Sequence, residues 1–147
     1  MFDRTVTLFN FLKSDGKWYS TVIKNCTLED TESSSDSARG RNSTSNVRIH
    51  LHCNSQQVFK TTRGNIPYVP TKEYQNLTAV SGRVKGLTFT PEVDFLVVGK
   101  EMKENAVLDD NYENGFYNYV NKTVDDVYMV TNSTWYSLLP HFVVGGR

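Results

Sequence analysis

Cysteine is scarce in this 147-residue chain: Cys26 and Cys53 are the only two, and neither belongs to a Cys-x-x-Cys pair. That excludes a zinc ribbon and a dithiol redox motif. Two reduced, partly buried thiols are the expected state, and a disulfide between neighbouring strands is an alternative the spacing leaves open. Net charge is absent as well, because sixteen Lys and Arg balance sixteen Asp and Glu. No overall field then draws the molecule to DNA or to an anionic membrane. Long apolar runs are missing too. Nothing approaches the roughly 18 residues of a membrane span, and the opening MFDRTVTLFNFLK lacks the basic start and apolar core of a secretory signal. The expectation is a soluble protein without visible export, in which the sequons at Asn25, Asn42, Asn76, Asn121 and Asn132 are chance products of a chain rich in Asn, Ser and Thr.

Catalytic constellations are also lacking. Neither Gly-x-Ser-x-Gly nor Gly-x-x-x-x-Gly-Lys-Ser/Thr occurs, and the spacing of Gly82 and Gly86 is a common accident. His141, a formal candidate for a general base, follows Pro140 and precedes a strand, so it reads as a strand-entry residue. Asp109-Asp110 and Asp125-Asp126 resemble exposed turns more than cation sites. No enzyme, cofactor or metal centre is expected.

What is present is β-forming. Thr5–Leu12 is rich in β-branched and aromatic residues, Ser14–Lys17 carries turn chemistry, and Lys17–Leu28 contains Trp18, Thr21, Val22 and Ile23, so the two runs predict a hairpin. Val47–Cys53 alternates, with Val47, Ile49, Leu51 and Cys53 on one face and Arg48, His50 and His52 on the other. The two histidines could reach a metal from that face, but without a matching carboxylate or thiol an ordinary polar face is expected. A short strand is expected at Val58–Thr61, and a helical turn capped by Thr71 over Thr71–Leu77. Asp94–Lys100 is the strongest apolar run and predicts a strand at the centre of the core. A short second helix is expected within Val107–Val120, where Asn114-Gly115 would break it. The last strands are expected at Asp126–Thr131 and His141–Val144, separated by turn-rich Asn132-Ser133-Thr134 and Pro140. In the last of them Phe142 and Val144 share one face, and Gly145-Gly146 close an edge or barrel strand where side chains stop packing.

Residues 29–46 (EDTESSSDSARGRNSTSN) hold no large apolar residue and predict a long flexible polar loop. Ser33, Asp36, Arg39 and Arg41 in that loop are candidates for contacts between subunits. So are Tyr112, Phe116, Tyr117 and Tyr119, aromatics set among Asp, Asn and Glu rather than among the Lys and Arg of a nucleic-acid stacking surface. Altogether the pattern predicts a single mainly β domain, a small barrel or sandwich of six to eight short strands with one or two short helices.

Three segments carry a resemblance. VTLFNFLKSDGKWYSTVIKNCTL, with Trp18, Tyr19, Thr21 and Val22, is similar to a "TLYN" strand followed by "WY-x-TV". YVPTKEYQNL and LTFTPEVDFLVVGK resemble a proline-bracketed turn followed by a "GD-x-IV-x-G" strand, matched by Thr88, Phe89, Asp94, Val97, Val98 and Gly99. VYMVTNSTWYSLLPHFVVGGR is similar to a closing "PHWxVGGK", matched by Pro140, His141, Phe142, Gly145 and Gly146. These patterns belong to head-tail joining (neck) proteins of tailed phages and prophages. Glu92-Val93, Phe142 and Arg147 depart from the family's Gly, Trp and Lys. The resemblance implies a structural virion protein of the adaptor or stopper type, assembled in the bacterial host cytoplasm. It would form a ring of six or twelve subunits between the portal (or an adaptor) and the tail terminator or tail-tube proteins, with passive contact to DNA in the channel and no contact with membrane. A tail terminator or other neck ring protein is the near alternative, and a stand-alone binding module is the alternative of another class.

Overall fold

The computed structural model describes residues 4–30 and 46–147. Among them nine strands form: β1 (Arg4–Leu12), β2 (Lys17–Asp30), β3 (Val47–His52), β4 (Val58–Thr61), β5 (Gly64–Pro67), β6 (Phe95–Val98), β7 (Val107–Leu108), β8 (Val127–Tyr136) and β9 (His141–Gly146). Two short α-helices accompany them, α1 (Thr71–Tyr74) and α2 (Phe116–Thr123). The sheet runs β1-β6-β8-β9-β3-β2, and β2 pairs back with β1, so six antiparallel strands close into a barrel. Closure leaves those six without a free edge. The β4–β5 hairpin and β7 are appended to β2.

The length of β2 makes closure possible. Its first part pairs with β1 and its last four residues, Thr27–Asp30, pair with β3. At the changeover Asn25 takes φ 62 and the register with β1 slips between Arg4 and Val6. A bulge of this kind bends the strand and raises its twist, and Asn tolerates the left-handed conformation better than a branched residue does.

Inside the barrel, Val6 and Leu8 of β1, Ile49 and Leu51 of β3, Leu96 and Val98 of β6, and Phe142 and Val144 of β9 pack with Phe59 and Phe89. A second cluster lies on the other face of β1 and β6. There Phe9, Phe95 and Val97 meet Trp18, with Phe116 and Val120 of α2 laid over them. Phe9 stacks on Phe95 at 4.9 Å and takes the edge of Phe116 at 5.2 Å. Such pairs add about 0.5–1.5 kcal/mol beyond the area they bury.

Several local expectations are corrected. α1 ends at Tyr74, and its N-cap is Pro70, whose ring has no acceptor, so no side chain caps it; Thr71 is already helical. Asn114-Gly115 does not interrupt a helix but precedes one, since Gly115, at φ 90, is the N-cap of α2. Asn132-Ser133-Thr134 is not a turn. Gly145, Val144 and Val143 of β9 pair with these residues and hold β8 extended through them, and the chain reverses at residues 137–140. β5 was not foreseen; it folds onto β4 through a tight reversal in which Gly64 takes φ 107. The apolar run at Asp94–Lys100 yields a strand of only four residues because Gly99, at φ 86, turns the chain away.

Gly145 and Gly146 lie within β9, between β3 and β8. A Cβ on Gly145 would stand 2.5 Å from Asn132 Oδ1, and one on Gly146 2.9 Å from Tyr128 Cβ. They are glycine because neighbours crowd them, opposite the register slip in β8 between Val130 and Asn132, rather than because packing has ended.

Candidate interaction surfaces

The Tyr-rich segment divides by burial. Phe116 is fully buried and is a core residue, which removes it from the interface candidates. Tyr117 is half-buried against Phe95, with ring centroids 5.0 Å apart. Tyr112 is half-buried between Phe116 and Tyr119, at 5.0 and 4.9 Å. Only Tyr119, 46% exposed, presents much of its ring to water. The acid Asp109 organises this region: its Oδ1 accepts the Trp18 indole N–H and the Phe116 backbone N–H, each at 2.9 Å. Gly115 has no side chain to cap α2, so a carboxylate from the preceding 3₁₀ turn (Asp109–Asn111) serves its first turn. Ser33, Asp36, Arg39 and Arg41 lie outside the described residues, as does most of the predicted 29–46 loop; Glu29 and Asp30 already belong to β2.

The positions that carry the resemblance have structural roles. Trp18, Phe89 and Phe142 are core residues, and Tyr19 is buried with its hydroxyl donating to Asp15. Burial, then that hydrogen bond, then the Asp15 charge push the Tyr19 phenol up to about 12. Asp94, 1% exposed, is the centre of a polar network. Its Oδ1 accepts the Phe11 N–H at 3.0 Å, and its Oδ2 accepts the Thr90 N–H at 2.8 Å and the Asn10 side-chain amide at 2.9 Å. Asn10 in turn donates to the Thr88 carbonyl at 2.6 Å. The network fastens the segment before β6 to the end of β1. Burial drives the Asp94 carboxyl up to about 7, while the bonds it accepts hold it down. Asn10 gave no sequence signal, since it interrupts an otherwise apolar strand. Both cysteines are free thiols; burial pushes Cys26 up to about 12 and Cys53 to about 11, which leaves them protonated and unreactive near neutrality.

Among the described residues, no further element packs over the outward face of β3, β9 and β8. All three histidines of the chain meet there, because His52 pairs with His141 across β3–β9 and His141 with Tyr136 across β9–β8. His141 stacks between His50 at 5.4 Å and Tyr136 at 5.1 Å, and His52 lies 5.7 Å away. His50 contacts Glu29 at 3.1 Å, and Arg48 reaches the same carboxylate at 3.8 Å. Burial, then His141, then His50 lower the pKa of His52. The rings stack rather than converge, and among the described residues no group of three His, Cys, Asp or Glu is placed to hold a metal ion. A shallow cleft of about 650 Å³ runs along this face. At the adjoining tip of the β8–β9 hairpin, Leu138 and Leu139 are 87% and 80% exposed. His50 and His52 were legible as one face from their two-residue spacing; that His141 joins them depends on the β3–β9 register, which no local pattern states.

Among the described residues these features define a small closed β-barrel with one side covered by an aromatic helix and the other bare. Over residues 1–147 the chain belongs to the family of unknown function DUF6751. No curated protein and no solved structure matches it.

Proposed function

We propose that this protein is a structural subunit of a tailed-phage neck, an adaptor- or stopper-like component that forms a ring between portal and tail and resides in the virion. The observation that carries the reading is the β8–β9 hairpin tip. Two adjacent leucines held in water at a reversal, beside half-exposed Tyr136, form an apolar projection that a neighbouring subunit or tail protein can cover. A projection on one side of a barrel suits head-to-tail contacts, which close into rings. The reading is also supported by where the resembling segments lie: they supply β1, β2, β6, β8 and β9, five of the six barrel strands, and one of them covers α1. A tail terminator would use the same architecture, and partner choice separates the two.

Mass photometry of the purified protein, alone and mixed with portal and tail proteins from the same genome, tests the proposal. Rings or portal-bound oligomers are expected for the wild type. The double substitution Leu138→Asp and Leu139→Asp should abolish them while leaving the thermal midpoint nearly unchanged, because neither side chain packs in the core. A wild type that stays monomeric with every one of these partners would sink the assignment.

A further inference from the structure

Away from both surfaces, the β4–β5 turn, the 80–83 turn and the segment 101–105 enclose a cleft of about 580 Å³ against β2. Its lining includes Ser20, Arg63, Arg83, Glu101, Lys103 and Asn105. Asn105 makes the wall rigid, since its side chain accepts the Ser20 N–H at 2.9 Å and donates to the Gly82 carbonyl at 2.8 Å. Arg63 is fixed as firmly. Its backbone N–H donates to Thr61 Oγ1 at 3.1 Å, and one guanidinium nitrogen donates to buried Thr21 Oγ1 at 3.1 Å.

The remaining edge of that guanidinium is unspent. Arg63 Nε is buried with no hydrogen-bond partner among the described residues. Among those residues no carboxylate stands within ion-pair distance of Arg63, Arg83 or Lys103. Glu101, the one acid on the lining, faces Lys24 at 3.9 Å. Burial and the like charge of Arg83 both weaken the hold of Arg63 on its proton, with Tyr74 acting the other way. Three cations against one acid leave an excess of two positive charges on the lining, beside a guanidinium with no carboxylate partner among the described residues. An arginine in that condition is matched by an oxyanion, and a dianion balances the excess.

We propose that this cleft is a binding site for a phosphate-type dianion, held by Arg63, Arg83 and Lys103, with the Arg63 guanidinium, fixed on Thr21, as the positioned donor. The site is independent of the ring assignment and can stand or fall without it. The phosphate can be free, carried on a small molecule, or part of a nucleic-acid backbone; a cleft of this volume admits the first two whole and the third in part.

The Arg63 Nε–H resonance in a ¹⁵N-correlated NMR spectrum reports on the state of the guanidinium and so tests the proposal. Inorganic phosphate, a nucleoside monophosphate and a short DNA duplex are titrated separately at constant ionic strength. A saturable shift of that resonance is expected with at least one of them. The double variant Arg83→Gln and Lys103→Gln changes only exposed side chains and keeps the probe; it should bind roughly tenfold more weakly. Saturation by phosphate or the monophosphate identifies a small ligand. A response to duplex alone, steeply weakened by salt, identifies a nucleic-acid backbone. A resonance that stays still with all three, that moves as far in chloride alone, or that responds identically in the double variant overturns the site.

Discussion

Strands β1 and β6 are buried on both faces, whereas β3 and β9 are buried on one and lightly covered on the other. Both pairs belong to the same barrel wall, so the difference is what covers the outside. Over β1 and β6 lie α2, Trp18 and Met102; among the described residues, the outer face of β3 and β9 carries a row of histidines, Arg48 and Val143. The covered side shows how a small barrel gains stability beyond its interior, by adding a second aromatic core to one wall. The open side shows where the chain can meet another molecule without giving up core. The core-bearing and the bare stretches are thus different parts of one outer wall, and substitutions should separate them.

Truncating the aromatic lid should have the largest effect. Phe116→Ala leaves a cavity among Phe9, Phe95 and Trp18 and should cost about 3–5 kcal/mol in urea denaturation. Tyr119→Ala, three residues along the same helix but half in water, should cost no more than about 1 kcal/mol. Equal losses would mean that α2 is not a lid with a buried and a wet side, and the contrast between the two walls would collapse.

Asp94 gives the covered side a pH dependence of definite sign. Burial raises its carboxyl from 3.8 to about 7 in the native state, so between those values the folded protein holds a proton that the unfolded chain has lost. This group therefore favours the native state most below about pH 4, and its contribution falls as pH rises to about 7 and is flat above. Asp94→Asn removes the titration and an acceptor of backbone N–H groups, so the variant should be less stable at every pH. The gap between wild type and variant should narrow as pH rises through that window, by a few kcal/mol at most. Chemical denaturation across the window measures the gap, and a gap that widens with pH would show a native carboxylate kept ionised by the Asn10, Phe11 and Thr90 donors.

How legible these features were in the sequence follows from how local their causes are. Val47–His52 alternated because one side of its strand is wet, and Phe95–Val98 ran apolar without a break because neither side is; both were readable, as were the first hairpin and the mainly β character. The continuity of β8 through Asn132-Ser133-Thr134 was not, because its cause lies in β9, where Gly145 leaves room for the Asn132 side chain and Gly146 for Tyr128. Phe116 looked like one of four interchangeable aromatics, and only the placement of α2 over β6 distinguishes it from Tyr119. The same holds for the cluster of Arg63, Arg83 and Lys103 and for the meeting of His141 with His50 and His52: each is made by residues far apart in the chain.

The open face should respond to pH with the opposite sign and a smaller amplitude. Partial burial, then the nearby rings of His141 and His50, disfavour a proton on His52. As pH falls below about 6.5 the unfolded chain therefore binds that proton before the native protein does, and native stability declines until His52 is protonated in both states. The charged and titratable groups around it are His141 of β9 and His50 of β3, with Glu29 and Arg48 at the far end of the row and Tyr136 stacked on His141. His52→Gln removes the repulsion, so relative to wild type it should gain stability at about pH 5 and show no gain at about pH 8. The gain should be only a few tenths of a kcal/mol, because the ring is exposed and water screens it, and it should shrink further in high salt. Thermal midpoints of both proteins at the two pH values and two salt concentrations are sufficient. A difference that ignores pH would remove mutual histidine repulsion as a property of this face, leaving the acid response of the protein to Asp94 on the covered side.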